Sequence, residues 1–301
     1  MRQGRHSVIP ACGQGRSPAR RHVGLAFLFW CLAAVEPFTQ VAFAQVAFAQ
    51  VPSRPRTGTA SPTPARLSEL SAVLASGRFS PVDLDAIWDN RSRLHASLGQ
   101  FAKSLPEIAE RYAVLYRVAQ LLGYTGHFVL NKAPPSMRAE AFSLGYQIAQ
   151  RAVELEPRRV EGHYWYAVNL SGFAVTQGVW QVWMQGHKIL SALDAAVAAE
   201  PRYFFAGPLR ARGMLYMKMP LQPFSVGSES RGLADLRQAV AVNPDVRLNR
   251  LSLGQALAAT GASEPARREL EKGRSLPESM GPAEEAMVTS RFLELERTLT
   301  P

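Results

Sequence analysis

From Leu67 onward the apolar residues of this chain return every three or four positions, and no alternating run of strand length interrupts them, which predicts helix throughout. One phrase recurs inside that pattern. Ala152, Ala196 and Ala239 each stand five residues before a proline (Pro157, Pro201, Pro244), and Ala149, Leu193 and Leu236 stand eight before it. The proline ends each helix because it has no N–H to donate and clashes with the preceding turn, while the small alanine lets a neighbouring helix come close. The helices expected on this basis are Leu67–Ser76, Pro81–Lys103, Glu107–Leu130, Ser136–Leu155, Val160–Val175, Trp180–Ala199, Gly207–Met217, Ser228–Val242, Arg247–Thr260 and Glu264–Arg274, with a last one opened by Pro282. Ser80 caps the second of these, with Asp83 favourable in its first turn, and Pro134-Pro135 separates the third from the fourth.

A returning phrase marks a repeat architecture, in which no unit buries its apolar face without the next. The prolines lie 44 and 43 residues apart, too far for the 34-residue tetratricopeptide unit unless each unit carries about ten extra residues. The last unit has no such excess. There Leu253-Gly254-Gln255-Ala256-Leu257 is followed by Ala266, Leu270 and Gly273, and the twelve-residue step from Gly254 to Ala266 matches that between the small residues of the tetratricopeptide consensus. Leu209, Gly213 and Tyr216 repeat the first half of the pattern. The expected fold is all-α, a stack of tetratricopeptide-like helical hairpins with Gly213 and Ala239 at helix contacts; an ordinary bundle of Ala-rich helices is the alternative.

The N-terminus reads as an address. Residues 1–49 have the layout of a secretory signal peptide: Arg16, Arg20 and Arg21, then an apolar stretch from Val23 to Val35, then cleavage signals at Ala42-Phe43-Ala44 and Ala47-Phe48-Ala49. The thirteen apolar residues fall short of the roughly twenty that span a membrane, and an uncleaved anchor with Trp30 at the interface is the alternative. The residues after Arg20-Arg21 do not follow the twin-arginine pattern. Leu28-Phe29-Trp30 is too bulky before Cys31 for a lipoprotein signal, so no lipid anchor is expected. Residues 50–66, with four prolines among Ser, Thr, Gly and Arg, read as a linker, and 67–301 as the helical-repeat domain. The expected location is the periplasm. Both cysteines, Cys12 and Cys31, lie in the signal segment, so the exported chain would have no disulfide, cysteine nucleophile or thiolate metal site. The formal charge of +10 falls to +6 on cleavage and is spread thinly, which excludes nucleic acid as an expected partner.

Beyond the signal, the chemistry is sparse. His95, His127, His163 and His187 have no second ligand at metal-binding spacing, and no phosphate loop, nucleophile elbow or zincin helix occurs. Glu107/Arg111 and Glu264/Arg268 fall at i, i+4 and read as exposed helix pairs. No catalytic residue, metal or cofactor is expected, and the chain does not read as an enzyme. Two segments are candidate binding surface. In residues 161–169, Tyr164, Trp165 and Tyr166 are consecutive on a helix, with Trp180 and Trp183 in the next; such neighbours point in several directions, and either line a groove or fill wide gaps between helices. In residues 203–210, Gly207-Pro208 would start a helix whose free N–H groups converge with Arg210 on an anion; a plain helix start with a solvated Arg is the alternative.

These residues carry a resemblance. Glu161-Gly162-His163-Tyr164-Trp165-Tyr166-Ala167-Val168-Asn169, followed by Gly207-Pro208-Leu209-Arg210-Ala211-Arg212-Gly213-Met214-Leu215-Tyr216 and Pro220, resembles the T component of tripartite ATP-independent periplasmic (TRAP) transporters, over roughly Glu107 to Leu276. The resemblance implies an all-helical periplasmic adaptor that associates with the transporter's substrate-binding protein and has an internal pore for a hydrophobic small molecule. It also implies that Tyr164, Trp165, Asn169, Arg210 and Tyr216 line that pore or groove. Known members are often lipoproteins, and this chain departs from them in lacking a lipobox. A tetratricopeptide scaffold for another envelope assembly, without a pore, remains the second reading, and a homo-oligomer is compatible with either.

Overall fold

Described residues of the computed structural model are 112–220, 225–279 and 282–299, with Glu69, Ala72, Ala86, Ile87 and Asn90. The signal segment, the linker, His95, the Glu107/Arg111 pair and most of the first two expected helices lie outside them. The described helices are α1 (Tyr112–Tyr124), which runs into a π-helical turn at Thr125–Val129, α2 (Pro135–Leu155), α3 (Val160–Thr176), α4 (Val179–Ala199), α5 (Tyr203–Lys218), α6 (Glu229–Val242), α7 (Arg247–Ala259), α8 (Ser263–Ser275) and α9 (Pro282–Leu299). They form four antiparallel hairpins and a closing helix, an all-α repeat stack. The first helices of successive hairpins also touch in a row: α1 on α3, α3 on α5, α5 on α7 and α7 on α9.

The recurring phrase has one geometry at all three sites. Helices α2, α4 and α6 end at Leu155, Ala199 and Val242, two residues before Pro157, Pro201 and Pro244, and the intervening Glu156, Glu200 and Asn243 swing out to φ −135°, −156° and −139°. All three have left the right-handed helical region, which a following proline disfavours. The N–H of each still reaches back to the carbonyl of Ala152, Ala196 or Ala239, at 3.0, 3.0 and 3.2 Å. Those alanines, with Ala149, Leu193 and Leu236, are completely or almost completely buried. One phrase therefore sets both the stop and the contact.

The ten extra residues per unit are used in two ways. In the second hairpin they lengthen the helices, to 17 residues in α3 and 21 in α4, against 13 each in α7 and α8. In the third they fall between α5 and α6, where Met219 and Val226 are buried beside Gly186 of α4; a Cβ at Gly186 would stand 2.7 Å from the Met219 methyl. Glu264 pairs with Arg267 at 3.7 Å, correcting the expected Glu264/Arg268 pair, because the side chains meet at i, i+3.

Two main apolar clusters result. The first joins α1 to α4 with Phe204 and Leu215 of α5 and with Met219 and Val226, and contains Tyr164 and Trp165; the second joins Met214 of α5 to α6, α7, α8 and α9, and has Phe292 as its one buried ring. Phe205 packs against both.

Candidate functional site

Helix α3 is buried on nearly every side, and only His163, Tyr166, Phe173 and the two residues at its end keep partial exposure. Its Tyr164 and Trp165 project toward the start of α5. The Trp165 ring meets Phe204 edge-on at 4.9 Å and Tyr164 at 4.9 Å, and its Nε1–H donates to the Tyr203 hydroxyl at 3.1 Å. From the other side come Tyr112 and Tyr116 of α1, four residues apart, with ring centres 5.4 Å from each other. Tyr112 donates to Glu161 at 2.9 Å, Arg159 holds the same carboxylate at 2.7 Å, and the Arg159 guanidinium lies 5.1 Å from the Tyr112 ring centre. Tyr112, Tyr116, Arg117 and Tyr203 are partly exposed, whereas Tyr164 and Trp165 are sealed.

The electrostatics keep this patch in one protonation state. Burial raises the Tyr203 hydroxyl well above the usual phenol range; burial also raises Tyr112, reinforced by the Glu161 charge. Burial alone would raise the Glu161 carboxyl as well, but the hydrogen bonds from Arg159 and Tyr112 outweigh it and hold the group below the usual carboxylate range. At neutral pH the patch is therefore a set of neutral aromatic donors framed by one neutralised carboxylate and two guanidiniums. The patch thus presents apolar ring faces and phenol hydroxyls side by side.

Helix α5 does not begin as an ordinary helix. Phe204, Phe205 and Ala206 have φ of 49°, 59° and 59°, three consecutive left-handed residues without a glycine. Each costs about 1–2 kcal/mol through the clash of Cβ with the next carbonyl. The right-handed helix starts at Gly207, where the sequence placed it. Gly207 is required there, since a Cβ would stand 2.5 Å from the Tyr164 hydroxyl. The turn is secured by Arg210, which donates to the Phe205 carbonyl at 2.8 Å and to Asn249 Oδ1 of α7 at 2.6 Å. Asn249 in turn donates to the Ala239 and Asn243 carbonyls at 3.2 and 3.3 Å. Burial lowers the Arg210 pKa, an effect opposed by the neighbouring Tyr164 hydroxyl.

Of the five residues singled out from sequence, the fold brings Tyr164, Trp165 and Arg210 together around the start of α5. Asn169 lies one turn further along α3, bonding the Ala119 carbonyl at 2.9 Å and the Trp165 carbonyl at 2.8 Å. Tyr216 stands apart, its ring 6.0 Å from the Arg231 guanidinium of α6. All five side chains are buried, and Arg210 is spent on protein acceptors rather than facing solvent. Tyr112, Tyr116, Arg117 and Asn249 were missed. The i, i+4 pair Tyr112/Tyr116 was a usable signal, whereas an Asn in mid-helix has no local signature of a long-range partner. Of the histidines, His127 is buried 4.5 Å from the Phe142 ring, His163 Nε2 lies 2.8 Å from the Pro157 carbonyl, and His187 is exposed. Among the described residues no cluster of three metal-ligating side chains occurs, and no helix is long and apolar enough to cross a membrane.

A family model described as "Regulator of microtubule dynamics protein 1-3" matches residues 83–212. Among solved structures the chain is similar to TTC0263, a thermophilic TPR protein of Thermus thermophilus, at 17% identity over 77% of this chain and 99% of that one, with a TM-score of 0.51. It is also similar to MamA (14% identity, 68% of this chain and 91% of that one, TM-score 0.37) and to yeast Tom70 (11%, 93% and 76%, TM-score 0.29). No curated protein matches. The likeness to the Thermus protein shows the fold, a tetratricopeptide-like helical stack.

Proposed function

We propose that the chain is a helical-repeat adaptor that binds a partner protein along the row formed by α1, α3, α5, α7 and α9. The observation that supports this most is the partly exposed patch of Tyr112, Tyr116, Arg117 and Tyr203 on that row, in a fold whose successive hairpins create an extended binding surface. Tyr and Arg are the residue types that concentrate binding energy at protein interfaces. The family-model match favours a regulatory, partner-binding role over an enzymatic one, and makes tubulin a second partner to try.

The more specific reading is that the chain acts in the periplasm as a TRAP T component, exported through residues 1–49 and binding the transporter's substrate-binding protein. It rests on the phrases at 161–169 and 207–220. A hydrophobic ligand in this reading would enter where Tyr164, Trp165 and Phe204 now pack, so its binding requires α3 and α5 to part. Photo-crosslinking residues placed at Tyr116 and Arg117 should capture a discrete partner, and the same residues at Gln147 and Gln150 on α2 should not. Equal capture at both sets, or none at Tyr116, overturns the adaptor reading. Identification of a substrate-binding protein among the products supports the transporter role; tubulin in its place refutes it.

A further inference from the structure

Five large apolar side chains are well exposed among the described residues, and four share one edge of the stack: Met137 (50%), Trp180 (62%), Trp183 (39%) and Met184 (56%). The connection from α3 to α4 is only Gln177-Gly178, so α3 ends where α2 and α4 begin, and Met137 and Trp180 both stand at that end. Gly178, at φ 99°, turns the chain sharply and presents Trp180 in the first turn of α4. Trp180 and Trp183 then pack edge-to-face, with centres 4.8 Å apart.

The segments that carry them hold charge of one sign. Residues 125–139 and 177–193 contain no Asp or Glu, while Lys132, Arg138 and Lys188 lie among them; Lys188 follows Met184 by one helical turn, and acids resume at Glu140 in the second turn of α2, at Asp194 in α4 and at Glu229 in the first turn of α6. At the opposite edge the turns carry mixed charge, Glu156-Pro157-Arg158-Arg159 and Glu200-Pro201-Arg202, and no large apolar side chain described there is well exposed.

We infer that this edge docks on an anionic phospholipid surface. Tryptophan is the side chain suited to the headgroup level, with an apolar ring and a polar N–H, and flanking lysines draw such a site to negative lipid. The four side chains expose roughly 400–500 Å² of mainly apolar surface, short of the roughly 800 Å² that each partner gives a standard protein interface. A shallow insertion needs no more than that. The docking is independent of the proposed partner surface, because Tyr112, Arg159 and Tyr203 lie toward the other end of the helices.

The test is co-sedimentation of the full chain with vesicles of phosphatidylglycerol and phosphatidylcholine in equal parts, and with phosphatidylcholine alone. Binding should be to the anionic vesicles. It should fall about tenfold or more in the double variant Trp180→Ser/Trp183→Ser and about fivefold in Lys188→Glu, and be unchanged in Leu293→Ser, which removes the fifth of the exposed side chains, on α9. Because both tryptophans are exposed, the double variant should keep its circular dichroism and melting temperature. Equal binding to neutral vesicles, or undiminished binding by the double variant, overturns the inference. So does a wild-type chain that ignores vesicles but forms a dimer abolished by the same double variant, which would make the edge a contact between copies.

Discussion

The front of the stack, α1 to α4, and the back, α5 to α9, share a fold but are held together differently. In the front the helices meet through rings: Phe142, Tyr164 and Trp165 fill the gaps, joined at the junction by Tyr203 and Phe204 from the start of α5, and the long-range polar contacts are hydrogen bonds such as that from Asn169 to Ala119. In the back, ion pairs tie helix to helix, Arg212 to Asp235 at 2.7 Å, Arg247 to Glu285 at 2.6 Å, Arg250 to Glu269 at 2.9 Å and Arg274 to Glu296 at 2.9 Å. Rings need volume to be right, and charges need partners to be present. The same repeat can therefore be broken in two chemically different ways.

The largest effects are expected where each half depends on one side chain. Trp165→Ala should destabilise the fold by about 3–5 kcal/mol by leaving a cavity among Tyr164, Tyr203 and Phe204. A denaturant midpoint close to wild type would show that the front is not ring-packed. In the back, Glu285→Ala should cost about 3–5 kcal/mol by stranding the buried Arg247, and the double variant Arg247→Met/Glu285→Leu should recover most of that loss. If the double variant is as unstable as the single one, volume and not charge governs this half too.

Overpacking comes next. A Cβ at Gly213 would lie 2.8 Å from Leu236 Cγ and 3.0 Å from the Gly232 carbonyl, so Gly213→Leu should cost about 1–3 kcal/mol or more. Ala239→Leu, at a fully buried contact, should act similarly. Melting temperatures of both variants check the repeat register.

The smallest effects distinguish the halves by pH. In the front, burial and then the Arg138 charge hold the His127 pKa well below 6.5. The unfolded chain thus takes up a proton near pH 6.5 that the folded one refuses, so stability contributed by neutral His127 is present above pH 6.5 and falls below it. His127→Gln should flatten that decline in urea midpoints taken from pH 7.5 to 5. In the back, burial and the nearby Arg291 push Lys218 down to about 7. Stability should rise from pH 7 toward the ordinary lysine range, and Lys218→Met should abolish the rise; the side chain is only half-buried, so the change is small.

What the sequence made legible follows from what is local. The helix stops came from proline, the buried alanines from their distance to it, and the start of right-handed helix at Gly207 from the Gly-Pro pair. The tyrosine patch was only half legible, because Tyr112 and Glu161 are separated by 49 residues and nothing in either segment announces the other. Arg210 shows the same limit. Its position near a helix start suggested an anion, but Asn249 occupies that position in the fold, and a partner 39 residues away leaves no trace in local spacing.

The left-handed turn at Phe204–Ala206 has a consequence for how the chain assembles. Local sterics oppose it, so it cannot nucleate, and the groups that hold it come from Trp165 and Tyr164 on one side and Asn249 on the other. Hairpins α3/α4 and α7/α8 are therefore expected to form before the turn between them closes, so that in pulsed hydrogen exchange during refolding both flanks should gain protection before the reversal of handedness that joins them.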